Sequence, residues 1–329
     1  MRAAGNTSPP PTCFLERDEV EDLLYGRILI AFSLLVLAAP GARAAVPAGP
    51  TTPRTFEATA SVSSVLVPVT VRDSKGRLVP TLDQKRFHLV VDGIEFPITS
   101  FWREGGLPIS YTFILDTSGS MGRRRLGQAR DAILAMVKQL RKQDEVCLIT
   151  FGAAEVKRRM VFPGDPLELG ALLEPLRGYG TTALYDVLTV TPQAMDGAKN
   201  VRRAIVLFTD GVDTASDMKP DDAVKVLEGL SDPLYVLGIE PPPSEEGLED
   251  SYEQLLERFA TVSGGRYLRV DMASRLPEFA LELRQELSMR YIIDFQPSGL
   301  GASKWRQIEV RVDGRFDVSA RQGYTGTLP

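Results

Sequence analysis

Three short stretches of this sequence carry the oxygen-bearing side chains that could do chemistry. The apolar run Tyr111 to Leu115 ends abruptly in Asp116-Thr117-Ser118-Gly119-Ser120-Met121-Gly122, which offers one carboxylate and two hydroxyls at alternate positions. Gly119 and Gly122 permit a tight loop there. A second stretch, Gly180-Thr181-Thr182, precedes the helix-like Ala183-Leu184-Tyr185-Asp186, and a third, Asp210-Gly211-Val212-Asp213, follows the apolar run Ala204 to Thr209. Carboxylate and hydroxyl oxygens are hard donors suited to Mg²⁺, Mn²⁺ or Ca²⁺. One such stretch alone means little, because Asp, Ser and Gly also make up ordinary strand-to-helix turns and N-caps. Three separate loops that offer oxygen ligands to one crevice point to capture of a divalent cation.

The scarce residues exclude the main competitors. There is one histidine, His88, and two cysteines, Cys13 and Cys147, so a His/Cys zinc site, a Cys/His protease and a Ser/His/Asp triad all lack parts. No Gly-rich phosphate loop ending in Gly-Lys-Ser/Thr and no dinucleotide fingerprint is present, so a nucleotide is not expected. Lys and Arg total 38 against 43 Asp and Glu, and a net charge of −5 argues against a nucleic-acid partner, which needs a basic face. His88 reads as a packing or surface residue. With 43% hydrophobic and 25% charged residues over 329 positions, the chain has the composition of a folded protein with a sizeable core.

The elements that must position these loops are legible as periodicity. Tyr111 to Leu115, Val146 to Phe151, Ala204 to Thr209, Leu234 to Ile239 and Tyr267 to Val270 are continuous apolar or β-branched runs, the mark of strands buried on both faces. Leu126, Ala129, Ile133, Met136, Val137 and Leu140 recur at spacings of three and four and predict a helix, as does Asp221 to Leu230 behind Pro220. A last helix is expected from Ser274 to Arg290, and Glu240 to Asp250, rich in Pro and acid, reads as a surface loop. The expected fold is α/β, a doubly wound, mostly parallel sheet. Around it lie β-rich pieces: Val65 to Arg72, Phe87 to Val91, Ile94 to Phe101, Tyr291 to Phe295, Gln307 to Val312 and Phe316 to Ala320. Asp92-Gly93 and Asp313-Gly314 are read as hairpin turns. Residues 56–106 and 291–329 are expected to pack together as a flanking antiparallel, sandwich-like unit around a core of residues 107–290.

Asp116-x-Ser118-x-Ser120, a threonine before Ala-Leu-Tyr-Asp and Thr209-Asp210-Gly211 together resemble the metal-ion-dependent adhesion site of von Willebrand factor type A domains. The flanking β runs and the ending Gln322-Gly323-Tyr324 resemble a group of exported bacterial proteins related to that family. The resemblance implies a Mg²⁺ held by Ser118, Ser120 and Thr182, with Asp116 and Asp210 acting directly or through water. Thr181 is the register alternative to Thr182. Thr191-Pro192 should kink or end the unbroken helix usual after that threonine. The implied role is binding, because two carboxylates offset the ion's charge, three hydroxyls add little, and an open position accepts an acidic side chain of a protein partner.

Two other readings compete: an envelope scaffold with a structural metal, and a metal-dependent hydrolase for which only Asp213 or Asp186 could serve as base. Arg123, Arg124 and Arg125 read as a solvated cluster or as a guide for an acidic ligand, and Lys157-Arg158-Arg159 as a charged edge strand. At the N-terminus, Arg27, the apolar run Ile28 to Ala39 and Ala42-Arg43-Ala44 form a signal-peptide pattern cut after Ala44. The acids of residues 16–22 are foreign to such a leader and suggest a start downstream of Met1. A leader over 1–44 and a linker over 45–55 predict a secreted or periplasmic protein with no stable membrane span after cleavage. Cys147 would then be its only cysteine.

Overall fold

The computed structural model describes residues 64–153, 155–243, 251–271, 275–297 and 303–326. The predicted leader and linker lie outside the described residues, as does most of the predicted loop Glu240 to Asp250. In chain order the strands are β1 (Val65–Arg72), β2 (Phe87–Val91), β3 (Ile94–Phe96), β4 (Ser100–Arg103), β5 (Ile109–Asp116), β6 (Glu145–Gly152), β7 (Glu155–Gly164), β8 (Arg202–Thr209), β9 (Leu234–Ile239), β10 (Tyr267–Val270), β11 (Tyr291–Phe295), β12 (Ser303–Val312), β13 (Asp317–Ala320) and β14 (Gly323–Gly326). The α-helices are α1 (Gly122–Val137), α2 (Leu169–Leu173), α3 (Leu184–Val187), α4 (Pro220–Glu228), α5 (Tyr252–Val262) and α6 (Leu276–Met289).

The continuous apolar runs form a six-stranded sheet in the order β10-β9-β8-β5-β6-β7. Its first five strands are parallel, while β7 runs antiparallel to β6 on the edge, where Lys157, Arg158 and Arg159 face solvent. Alternate residues of β5 feed two apolar layers. Tyr111, Phe113 and Leu115 pack with Leu126, Ile133 and Met136 of α1 and with Leu283 and Leu287 of α6. Ile114, on the opposite face, packs with Leu184 of α3, Leu227 of α4 and Phe259 of α5. Both faces are therefore dry, which explains why these strands read as unbroken hydrophobic runs. Cys147 is free and buried in the second layer, its Sγ donating to the Met160 carbonyl at 3.0 Å.

The chain leaves β5 toward β6 on one side and later returns to β8 on the other. Loops after β5 and β8 thus diverge, and a crevice opens between their carboxyl ends.

Two four-stranded antiparallel sheets, β13-β1-β11-β4 and β14-β12-β2-β3, enclose a third core of Val67, Val69, Leu89, Tyr291, Ile293 and Phe295, among others. Two expectations need correction. The run Ile94 to Phe101 is not one strand: it breaks after Phe96, with β3 pairing to β2 and β4 to β11 in the other sheet. Pro97, which has no N–H for a ladder, marks the crossing. Asp313-Gly314 is not a hairpin either, because β12 pairs with β2 and β14 whereas β13 pairs with β1. The turn carries the chain between sheets. Asp92-Gly93 does close a hairpin, with φ of 49° and 80° at its two residues.

The chain crosses between the sandwich and the α/β core twice, near Glu104 and near Arg290, and the two crossings are tied together. The Glu104 N–H donates to the Arg290 carbonyl at 3.1 Å, and Arg290 Nε donates to Glu104 Oε2 at 2.8 Å. Arg202 Nε lies 3.8 Å from the same carboxylate oxygen. All three side chains are buried. Removing the carboxylate leaves two guanidinium groups dry and unpaired, so Glu104→Ala should lower unfolding stability by about 3–5 kcal/mol. Urea denaturation measures this, and a loss under about 1 kcal/mol would contradict the buried pairing.

Candidate metal centre

Asp116 is the last residue of β5 and Asp210 immediately follows β8, so parallel pairing places two carboxylates side by side at the crevice. Asp116, Ser118, Thr209 and Asp210 have no exposed surface. Asp116 Oδ1 accepts from the Ser118 N–H at 2.8 Å and Oδ2 from Thr209 Oγ1 at 2.7 Å. Each carboxylate oxygen keeps a further lone pair. Ser118 Oγ lies 3.0 Å from Ser120 Oγ, and Ser120 Oγ donates to Asp210 Oδ1 at 3.3 Å. Two hydroxyls and the Asp210 carboxylate thus form one hydrogen-bonded chain, with Asp116 beside it.

The loop carrying Thr182 is held against the loop after β5 by main-chain bonds. The Gly119 N–H donates to the Gly180 carbonyl at 2.9 Å, and the Tyr179 N–H to the Thr117 carbonyl at 3.1 Å. Gly119 is required by this approach, since a Cβ there would sit 2.9 Å from the Gly180 oxygen. Thr182 is buried and Thr181 exposed. The Thr182 N–H donates to Thr214 Oγ1 at 2.9 Å, while its carbonyl accepts from the N–H groups of Thr214 and Ala215. Beyond it α3 lasts one turn and gives way to a 3₁₀ segment, Leu188–Gln193, that contains Pro192.

Burial pushes the Asp116 carboxyl up to about 6, opposed by the hydrogen bonds from Ser118 and Thr209 and reinforced by the charge of Asp210. Burial raises Asp210 as well, opposed by the Val212 N–H and by Arg125. Arg125 is the one cationic side chain in ion-pair contact with either carboxylate among the described residues. Its Nη1 lies 3.2 Å from Asp210 Oδ2 and donates to the Ser120 carbonyl at 2.7 Å. The arginine run therefore divides: Arg123 is exposed, Arg124 pairs with Glu240, and Arg125 turns into the crevice. This role of Arg125 was missed in the sequence, where the only signal was its place in the first turn of α1. Two buried carboxylates, one of them paired with a guanidinium, and facing hydroxyls are a hard-donor set that fits a small divalent cation.

The two side chains considered as a hydrolytic base are otherwise engaged. Asp213 Oδ1 accepts from the Leu184 N–H at 2.7 Å and from Ser216 Oγ at 2.6 Å, capping α3. Asp186 accepts from the N–H groups of Asp217 and Met218 at 3.1 and 2.9 Å. Beside the loop after β5 lies a hollow of about 250 Å³ lined by Thr117, Lys157, Arg159, Arg177 and Tyr179, with Glu155 its one acid.

The family model described as von Willebrand factor type A domain matches residues 111–212, the stretch that contains Asp116, Ser118, Ser120, Thr182 and Asp210. The inter-alpha-trypsin inhibitor heavy chain H4 of Sus scrofa is 26% identical over 197 residues, covering 55% of this chain and 20% of that protein. The uncharacterized protein YfbK of Escherichia coli (strain K12) is 28% identical over 213 residues, covering 61% of this chain and 36% of that protein. The chain thus spans between a fifth and about a third of the length of these relatives. Among solved structures, a von Willebrand factor type A protein from Catenulispora acidiphila superposes with a TM-score of 0.46 at 13% identity, covering 80% of this chain and 74% of that one.

The raised Asp116 gives a pH prediction for the protein in EDTA. Its folded-state value exceeds the ordinary 3.8, so the stability it contributes is full below that value and is lost as pH rises through about 6. Asn does not titrate; its oxygen can keep the bond from the Ser118 N–H, while its NH₂ group can only donate toward Thr209 Oγ1. The melting temperature of Asp116→Asn should therefore gain on that of the unsubstituted protein as pH rises from about 4 to about 6. Parallel melting curves across that range would contradict the burial of a charged Asp116.

Proposed function

The chain carries a von Willebrand factor type A domain, and on that premise we propose that it is an exported, metal-dependent binding module of the adhesion type, which captures a protein partner through an acidic side chain. Ser118, Ser120 and Thr182 would hold a Mg²⁺, with Mn²⁺ or Ca²⁺ as substitutes, and Asp116 and Asp210 would act directly or through water. When bound, such an ion supplies an electrophilic coordination position that a partner's carboxylate can fill. The observation that carries the reading is the hydrogen-bonded chain Ser118–Ser120–Asp210 beside the buried Asp116, at the carboxyl ends of neighbouring parallel strands.

The chain's own residues favour recognition over turnover. Asp186 and Asp213, the two carboxylates considered as a general base, are spent on holding α3 and its neighbouring loop. Lys157, Arg159 and Arg177 surround the adjoining hollow and would draw an acidic surface toward the crevice. The Ile28 to Ala39 leader pattern supports a secreted or periplasmic location, and no helix among the described residues is long and apolar enough to cross a membrane.

Calorimetric titration with Mg²⁺, Mn²⁺ and Ca²⁺ should register one ion per chain. Ser118→Ala and Asp210→Asn should each weaken uptake at least about tenfold, equivalent to about 1.4 kcal/mol. Partner capture from an envelope extract should disappear in EDTA and in both variants. No uptake of any of the three ions would overturn the proposal.

A further inference from the structure

At the opposite end of the central sheet from Asp116 and Asp210, a cavity of about 480 Å³ opens between the amino ends of β5, β8 and β9 and the sandwich strands β1 and β11. Its volume is that of a small-molecule site. Five arginines line it (Arg202, Arg203, Arg290, Arg306 and Arg321) against two acids, Glu104 and Asp232. Most of these charges are committed elsewhere. Glu104 is taken by Arg290 and Arg202, Arg203 donates to the carbonyls of Asn200 and Ala198, and Arg306 pairs with Asp92.

Arg321 is the exception. It is only 6% exposed, yet among the described residues its side chain makes a single hydrogen bond, from Nε to the Gly323 carbonyl at 2.6 Å. Among the described residues no carboxylate lies in ion-pair contact with it. Asp232, the facing acid, makes no hydrogen bond among the described residues and acts on Arg321 only at longer range. Burial lowers the Arg321 guanidinium to about 10, partly offset by Asp232. Neither terminal nitrogen makes a hydrogen bond among the described residues, and neither is sealed from solvent, so the group presents an unmatched fork to the cavity that it lines. The rest of the wall is mixed: Leu66, Pro68, Trp102 and Ile292 supply an apolar side, and Ser64, Ser231 and Thr325 add hydroxyls.

We propose that this cavity is a second binding site, for a small amphiphilic organic acid, whose carboxylate is held by the Arg321 fork and whose apolar body lies against Leu66, Trp102 and Ile292. The fork geometry of a guanidinium matches a carboxylate in two parallel hydrogen bonds, which an uncharged amide cannot reproduce. The site needs no metal and is independent of the crevice at the other end of the sheet.

The test uses the purified full chain in EDTA, with octanoate as the probe and octanamide as its uncharged counterpart, followed by thermal shift and calorimetry. Octanoate should raise the melting temperature saturably, octanamide should not, and Arg321→Met should weaken octanoate at least about tenfold. The same substitution should leave the ligand-free melting temperature unchanged or raised, because it replaces a buried unpaired charge by a side chain of similar volume. Arg321→Lys keeps the charge without the fork and should also weaken octanoate. It stands in as the test if Arg321→Met does not fold. No response to octanoate, an equal response to octanamide, or affinity that survives both substitutions would overturn the proposal.

Discussion

Two carboxylates deprived of water at the ends of adjacent parallel strands set the terms for the rest of this structure. Asp116 and Asp210 are fully buried, and Arg125 is the single cation that reaches either. Like charges this close in a dry site are tolerated only where something else stabilises them. The main-chain bonds between the β5 loop and the Gly180 loop, the Thr209 hydroxyl and the Ser118 N–H hold these carboxylates and hydroxyls in place. That preorganisation separates a site from a cluster of polar residues.

The supporting residues are as specific as the donors. Asp213 and Ser216 cap α3, so the short helix that follows Thr182 is anchored by the very loop that extends from Asp210. The second and third loops are thereby joined to each other as well as to the first.

Legibility in the sequence followed the physics of each element. The five parallel strands were readable because burial on both faces leaves an unbroken apolar run, and Asp116, Ser118, Ser120 and Asp210 were readable as candidates because they sit at or just beyond the ends of two of those runs. Arg125 was not, since nothing in a three-arginine string says which guanidinium turns inward once α1 is wound. Helix α5 was also passed over, although Ser251 and Gln254 form a capping box and Leu255, Leu256 and Phe259 follow at helical spacing. The sandwich was least readable in detail. Asp-Gly at 92–93 closes a hairpin and Asp-Gly at 313–314 crosses between sheets, because local turn chemistry does not determine which strand comes next in the sheet.

The arrangement of the sandwich also bears on how the protein is made. Strands β1 and β4 find their ladder partners only in β11 and β13, which lie beyond the whole α/β core in the chain. On a ribosome or a translocation channel the early strands must wait, with Val67, Val69 and Val71 uncovered, while the domain between them condenses around its own local contacts. Glu104 and Arg290 join the two crossings, so the sheet that holds β1 and β4 can be completed only after β11 and β13 have been made.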